Sequence, residues 1–279
     1  MHERFQSVDK AQLARRFGAA AHHYDAHARF QQEVGLALLK RMPDALPASG
    51  LGHGGQEYAL ADILPGAGLD LGCGTGFFLP HLARRCHRLH GLDLAPGMLA
   101  QAALRGSGAH LVCGDAEQLP FADQSLDWVF SSLALQWCER PAQAFAELHR
   151  VLKPGGQLLF STLLSDSLWQ LREAWRTVDD SPHVNRFLSL PQLQDAMAAG
   201  GFTAPRLESL TWSLAYPELN GLLRDLKGIG ASQINDERQS GLSSRQRLQR
   251  LTEAYEAYRQ PDGLLAASYQ VCLGRLIRR

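Results

Sequence analysis

Asp70 is followed at alternate positions by Gly72, Gly74 and Gly76, within LDLGCGTGFF at Leu69–Phe78. An apolar run closing on a carboxylate and then on spaced glycines lets the chain turn sharply from strand to helix. It also leaves bare N–H groups near the helix start, where a ligand's carboxylate or phosphate can land. Asp93 stands seventeen residues after Gly76, at the end of a second apolar run. A carboxylate there accepts both hydroxyls of a ribose, as found in nicotinamide dinucleotides and in S-adenosylmethionine alike. Spacing separates the two ligands. A dinucleotide loop takes Gly-x-Gly-x-x-Gly, the last glycine for close helix–strand packing, and here that position is Phe77. Asp70 would repel a pyrophosphate but attract the ammonium of a methionine moiety. Asp115, followed by Ala116, is then expected at the adenine, its carboxylate accepting from the exocyclic amine. Each aspartate taken singly also suits a helix cap; three in register are harder to explain that way.

Such residues act together only if strand ends bring them side by side. From the glycine loop onward the pattern alternates: helix Phe77–Cys86, strand Arg88–Leu92, helix Gly97–Leu104, strand His110–Cys113 and strand Leu126–Ser132. Helix Ala142–Leu152 follows, then a turn at Pro154-Gly155-Gly156 into strand Gln157–Thr162. Leu126–Ser132 is almost continuously apolar, as a sheet covered on both faces requires. Strands alternating with helices imply right-handed crossovers and a doubly wound, mostly parallel sheet, with ligands at the carboxyl ends of the strands.

Upstream, Asp9 with Gln12 three residues on predicts a capped helix running to about Tyr24, with Phe17, Ala20, Ala21 and Tyr24 on one face. A second helix is expected over Ala26–Met42, a Pro- and Gly-rich loop over Pro43–Gly66, and a helical turn near Tyr58–Leu64. Downstream, Leu168, Leu171, Trp175 and Val178 recur at helical spacing. A helix at Pro191–Ala199, a strand at Phe202–Ala215, helices at Pro217–Lys227 and Ser244–Tyr258, and a strand at Leu265–Ile277 complete the chain. The helices of 165–200 and 217–260 are expected to form a lid over the strand ends.

Composition narrows the functional classes. Lysine plus arginine and aspartate plus glutamate both number 28 in 279 residues, so no net charge points to nucleic acid or to an anionic membrane. No apolar run approaches the roughly 20 residues of a membrane span, and MHERFQSVDK lacks the apolar core of a signal peptide. The 5 cysteines are scattered, with no Cys-x-x-Cys, so neither a zinc site nor a disulfide framework is indicated. A cytoplasmic protein without a metal is expected.

LDLGCGTG, GLDLAPGML, GDAEQLPF and RVLKPGG resemble the successive motifs of class I S-adenosylmethionine-dependent methyltransferases. Beyond that core, RFGAAAHHYDAHA, SLALQWC, AWRTVDDSPHVNRFL and LKGIGAS resemble the malonyl-acyl-carrier-protein O-methyltransferases of biotin synthesis, over nearly the whole chain. The resemblance implies one domain over residues 1–279, with a seven-stranded Rossmann-like sheet. It divides into N-terminal helices at 1–42, a cofactor-binding core at 65–165, and substrate and lid segments at 166–279. It implies S-adenosylmethionine as cofactor and acyl carrier protein bearing a malonyl thioester as partner. The reaction it implies is methylation of the free malonyl carboxyl, giving the ester that primes pimeloyl synthesis. Leu94, Met98, Leu133 and Gln136 join the aspartates and glycines as expected cofactor contacts; for Met98, plain packing is the alternative. The loop at Pro43–Gly66 looks longer than is usual in these relatives, and SSLALQWC has serine where they often carry asparagine.

A carboxylate is ionised at neutral pH and needs no general base, so alignment, exclusion of water and a partner for the anion are what the site must provide. Arg186, His183 and Lys227 are the candidate cations. Arg186 leads because its planar fork can hold a carboxylate oxygen, and a salt bridge at the base of the lid is the alternative for each. Tyr24 is the expected catalytic hydroxyl, in reach of the methionine part or of the substrate, and a half-buried tyrosine with one surface hydrogen bond is the alternative. Trp137 is expected at the substrate, with core packing as the alternative for it and for Trp175. The Asn/Asp-Pro-Pro-aromatic motif common to base and amine methylases is absent after the fourth strand. Arg245, Arg247, Arg250, Arg224 and Lys227 form a candidate basic face for an acidic carrier. Competing readings are a methyltransferase acting on a free small molecule, a cofactor-binding regulator without catalysis and, more distantly, a nicotinamide-dependent oxidoreductase.

Overall fold

The computed structural model describes residues 8–42, 64–231 and 244–279. The turn expected near Tyr58 and most of the loop from Pro43 lie outside the described residues. The sheet contains β1 (Leu64–Leu71), β2 (Cys86–Asp93), β3 (His110–Cys113), β4 (Leu126–Ser132), β5 (Leu152–Leu163), β6 (Arg206–Tyr216) and β7 (Leu265–Ile277). Its order is β3-β2-β1-β4-β5-β7-β6. Pairing is parallel from β3 through β5, and β7 then runs antiparallel between β5 and β6. The order reverses between β1 and β4, the crevice where doubly wound sheets bind ligands.

Alternation along the central strands divides the core into two. Leu69, Leu71 and Val129 join Phe145, Leu148 and Phe160 on one face, whereas Trp128 and Phe130 join Phe30, Val34 and Phe78 on the other. The helices are α1 (Lys10–Ala20), α2 (Tyr24–His27), α3 (Arg29–Leu39), α4 (Leu79–Ala83), α5 (Pro96–Ala103), α6 (Pro141–Val151), α7 (Trp169–Arg176), α8 (Leu190–Ala199), α9 (Leu219–Gly228) and α10 (Ser244–Tyr255). α6 and α8 pack together over the first face, and α3 lies against β4 and β5 on the second. No described helix is long and apolar enough to cross a membrane.

The N-terminal helices cover the strand ends through one close backbone approach. A Cβ on Gly97, at the start of α5, would lie 2.7 Å from the Cα of Gly18 in α1, so α1 can seat there only against glycine. Asp9 caps α1, its Oδ1 accepting the Gln12 N–H at 2.9 Å.

Four expected elements differ in the structure. The first helix stops at Ala20, where the Ala21 N–H bonds back to Gly18 O and the His23 N–H to Ala20 O in tighter turns. Tyr24 therefore opens the short α2 rather than closing α1. The helix after the glycine loop is only Leu79–Ala83, because β2 already begins at Cys86. Pro154-Gly155-Gly156 sits inside β5 as an irregularity, with pairing to β4 shifting between Leu126 and Trp128. The charged helix ends at Tyr255 and continues as a single tighter turn over Glu256–Tyr258.

Candidate active site

Asp70, the penultimate residue of β1, lies on the second face and is buried, at 2% exposure. Its Oδ2 has no hydrogen-bond partner among the described residues. Burial, with Asp93 nearby, pushes the carboxyl up to about 8. A buried acceptor left unmatched is costly unless a donor arrives, and a cationic one would restore the charged form. Gly72 follows with φ +73°, and a Cβ there would lie 2.3 Å from that of Ala134, so only glycine makes this turn. Four of the loop's N–H groups are used within the protein. Gly72 and Cys73 donate to Leu92 O, Gly76 donates to Cys73 O, and Gly74 donates to Asp93 Oδ2 at 2.9 Å. Gly72, Cys73 and Gly74 thus brace β1 against β2, and the unmatched side-chain group beside them is an acceptor.

Asp93 is held at both oxygens, Oδ1 accepting the Ala95 N–H at 2.8 Å. Burial raises its pKa, against the pull of the backbone donors. Each oxygen keeps a lone pair for a further donor, such as one hydroxyl of a diol. Asp115 accepts the Glu117 N–H at Oδ1, while its Oδ2 meets Lys10 Nζ at 2.5 Å. Lys10 also reaches Glu117 at 2.9 Å, strapping α1 over this end of the site. Burial draws the Lys10 ammonium down, but the two carboxylates outweigh it and its pKa ends above the ordinary value.

Three cavities meet here. One lies along Asp93, Leu94, Met98, Asp115 and Ala116; a smaller one lies over Asp70, Gly72, Gly74 and Thr75; a third, mostly apolar, is walled by Leu168, Leu171, Trp175, Phe187 and Leu223. Tyr24 lines all three, and Leu133 and Trp137 separate the first from the third. Burial and the charges of Asp93 and Asp25 push the Tyr24 hydroxyl well above its usual range, so it is a neutral donor at pH 7. Among the described residues lining the third cavity there is no aspartate or glutamate, and His183 is the one ionisable cation. Its ring stacks on Trp175 with centroids 3.7 Å apart, and Nε2 lies 2.5 Å from Asp179 Oδ1. Asp179 Oδ2 in turn receives Arg247 at 2.6 Å. Among the described residues no cluster of His, Cys, Asp or Glu suited to a metal is present.

A methyltransferase-domain family model matches residues 69–160. The Bacillus subtilis protein YcgJ has a similar solved structure, with TM-score 0.56 at 21% identity over 77% of this chain and 92% of that one, a likeness of fold. A biotin biosynthesis bifunctional protein BioHC from Cellvibrio japonicus is 42% identical over 95% of this chain, which spans only 49% of that protein. The chain is thus about half the length of such bifunctional relatives. A malonyl-[acyl-carrier protein] O-methyltransferase from Serratia marcescens is 42% identical over 98% of this chain and 97% of its own. The chain belongs to the malonyl-[acyl-carrier protein] O-methyltransferase family.

In this family member most residues singled out from sequence gather at the junction. Asp70, Gly72, Gly74, Asp93, Leu94, Met98, Asp115, Ala116, Leu133 and Trp137 line the first two cavities, while Gln136 and His183 line the third. Gly76 shapes the loop behind them at φ +77°. Arg186 is not brought in. It is exposed, between Asn185 and Phe187, which do line the cavity. Lys227 is exposed as well, because α9 turns Leu223 and Leu226 inward and leaves the lysine off that stripe. Arg247 leaves the proposed basic face, while Arg245 and Arg250 remain exposed. Four contributors were missed from sequence: Lys10, Gln31, Ser132 and the Asp25–Thr75–Arg105 cluster. Thr75 Oγ1 donates to Asp25 at 2.6 Å, Arg105 Nε donates to Thr75 O at 2.7 Å, and the Arg105 guanidinium pairs with Asp25.

Proposed function

We propose that the chain transfers a methyl group from S-adenosylmethionine to the free carboxylate of a malonyl thioester on acyl carrier protein, making the methyl ester that primes pimeloyl synthesis for biotin. One observation carries the choice of acceptor. The cavity meeting the cofactor pockets at Tyr24, Leu133 and Trp137 has no carboxylate among its described lining residues and a single ionisable cation, His183. An amine acceptor would call for a base to take its proton; a carboxylate is already the nucleophile and calls for a cation and dry walls.

The roles follow from position. Asp70 receives the ammonium of the methionine part, which restores its charged form, and Asp93 receives the ribose hydroxyls. Asp115 takes the adenine amine, with Met98, Leu94 and Ala116 beside the ring. S-adenosylmethionine, when bound, supplies a methyl on a positively charged sulfur. The Tyr24 hydroxyl, a donor between the pockets, holds the acceptor oxygen in line without offering it a proton acceptor. Trp137 and Leu133 exclude water from the seam. His183, oriented by Asp179 and Trp175, holds the substrate anion. Arg186 and Lys227, exposed outside the cavity, are left to the surface that meets the acidic carrier.

The decisive experiment incubates enzyme and S-adenosylmethionine with malonyl-carrier protein, acetyl-carrier protein and malonyl-coenzyme A, and weighs the products. A gain of one methylene, about 14 Da, on malonyl forms and none on the acetyl form is expected. No gain on any malonyl thioester, with cofactor binding demonstrated, would move the assignment to a free small-molecule acceptor or to a regulator.

A further inference from the structure

A cavity of about 270 Å³ lies behind the acceptor cavity, between the start of α3, α9 and β6. The two share Phe30, Gln31, Leu226, Ile229 and Tyr269 as lining residues, so they meet across a partition one side chain thick. At that partition the Gln31 side-chain oxygen is buried with no hydrogen-bond partner among the described residues.

Four consecutive residues of β6, from Ser213 to Tyr216, line this rear cavity. Successive strand side chains point to opposite faces, so a cavity touching four in a row runs along the strand's edge. β6 is the last strand of the sheet. Its register with β7 tells which backbone groups look outward. Ser268, opposite Ser213, gives its N–H to Gln170 Oε1 and receives the Leu168 N–H at its carbonyl. The carbonyl of Ala266, opposite Ala215, accepts the Tyr255 hydroxyl at 2.9 Å. Residues opposite one another in an antiparallel pair exchange both hydrogen bonds or neither. Ser213 and Ala215 therefore turn N–H and C=O away from β7, about 7 Å apart. The polar side chains around them are matched to one another: His27 and Tyr216 both bond Asp225, and Trp212 Nε1 donates to Glu33. Arg29 likewise pairs with Glu33, so among the described residues the strand edge and Gln31 are the polar groups left to meet a ligand.

We infer that this cavity binds an extended, amide-bearing arm, the tether through which a carrier protein presents its thioester. The arm's secondary amides pair with Ser213 and Ala215 as an added strand and with Gln31 where the arm turns into the acceptor cavity. The inference rests on the carrier-bound substrate proposed above. It gives the buried malonyl end a route to the surface that passes along backbone rather than past the cofactor.

The test compares malonyl-pantetheine, which has the amides, with the malonyl thioester of ethanethiol, which has none. Ala215→Pro removes one outward N–H on an edge strand, where proline is tolerated. Ala215→Trp narrows the channel from an exposed position and serves if the proline variant fails to fold. Wild type should favour malonyl-pantetheine in kcat/KM, and either variant should lose about five- to tenfold on it, with the loss confined to that substrate and cofactor affinity retained. Equal use of both thioesters by wild type, equal losses on both, or no loss on either would overturn the channel while leaving the methyl transfer standing. Failure of wild type to methylate any malonyl thioester would overturn the proposed function first and the channel with it.

Discussion

The cofactor end and the acceptor end of this site are built by different means. At the cofactor end the key carboxylates sit at or just past the tips of parallel strands, two of them braced by backbone: Asp93 by Gly74 and Ala95, Asp115 by Glu117. At the acceptor end the wall is side chains from segments distant in sequence, α2 and α3, the turn after β4, α7, the 183–187 stretch and α9, with His183 held through Asp179. Backbone fixes where charge stands at one end; packing of helices fixes it at the other. The first end should therefore fail abruptly when a single group is altered, and the second by degrees.

The sharpest break is Asp70→Asn. Removing one partner of a buried charge pair costs about 3–5 kcal/mol, so S-adenosylmethionine affinity should fall by about two to four orders of magnitude, read by calorimetry. The free protein should gain stability at pH 8, because the carboxyl there is buried, unmatched and about half ionised. A rise in melting temperature of about 2–4 °C for each kcal/mol relieved is expected. Loss of binding together with loss of stability would instead make Asp70 a structural residue.

Its protonation gives the next test. With the folded-state pKa pushed up to about 8, Asp70 is mostly protonated at pH 7 in the free protein. Binding an ammonium requires the carboxylate, so cofactor affinity should rise with pH, by up to about tenfold per unit below pH 8, and level off above it. Binding at pH 7 should release a proton, seen as a dependence of the calorimetric heat on buffer. The sign for stability is opposite. The favourable contribution of the protonated group is complete below the unfolded-state value and is lost as pH rises through 8, so the free protein weakens across that window on this group's account. Asp93, also raised by burial, adds in the same direction.

At the acceptor end, His183→Ala should raise KM for the malonyl substrate about tenfold, whereas Arg186→Ala should change it less than about twofold, as expected for an exposed side chain. The reverse order would return the anion-holding role to Arg186. Tyr24→Phe should lower kcat about three- to tenfold with the fold intact; unchanged turnover would remove the hydroxyl from the chemistry.

The same contrast governs what could be read from sequence. Asp70, Asp93 and Asp115 were legible because strand ends in a doubly wound sheet are adjacent by topology, so local pattern implies the tertiary neighbour. The sheet itself was legible for the same reason, down to the buried run of β4. Lys10, Gln31 and Arg105 were not, since their meetings with Asp115, the cavities and Asp25 join segments that no local rule brings together. Two orientations had a usable signal. Arg247 stands four and eight residues before Leu251 and Tyr255, both buried, which places it on the inward face of α10. Leu219, Leu222, Leu223 and Leu226 mark the inward stripe of α9, and Lys227 falls off it. Charge alone suggested Arg247 as a surface group and Lys227 as either a surface or a substrate group; periodicity turns the first inward and leaves the second at the surface.

The mildest effect tests whether the two ends are joined. Asp25 follows Tyr24 and is tied to the glycine loop by Thr75 and by Arg105, whose guanidinium also lies 5.7 Å over Phe77. This latch holds the hydroxyl shared by all three cavities against the cofactor end. The ion pair is partly exposed, 29% for the arginine and 43% for the aspartate side chain, so screening limits it to about 0.5–1 kcal/mol. Arg105→Ala should accordingly raise KM for S-adenosylmethionine about two- to fivefold, more at low salt than at high, with kcat at saturating cofactor retained. An unchanged KM would leave the cover to the Gly18–Gly97 contact and to Lys10. A fall in kcat instead would mean that the latch sets the position of Tyr24 at the acceptor, and the two ends would then be one device rather than two.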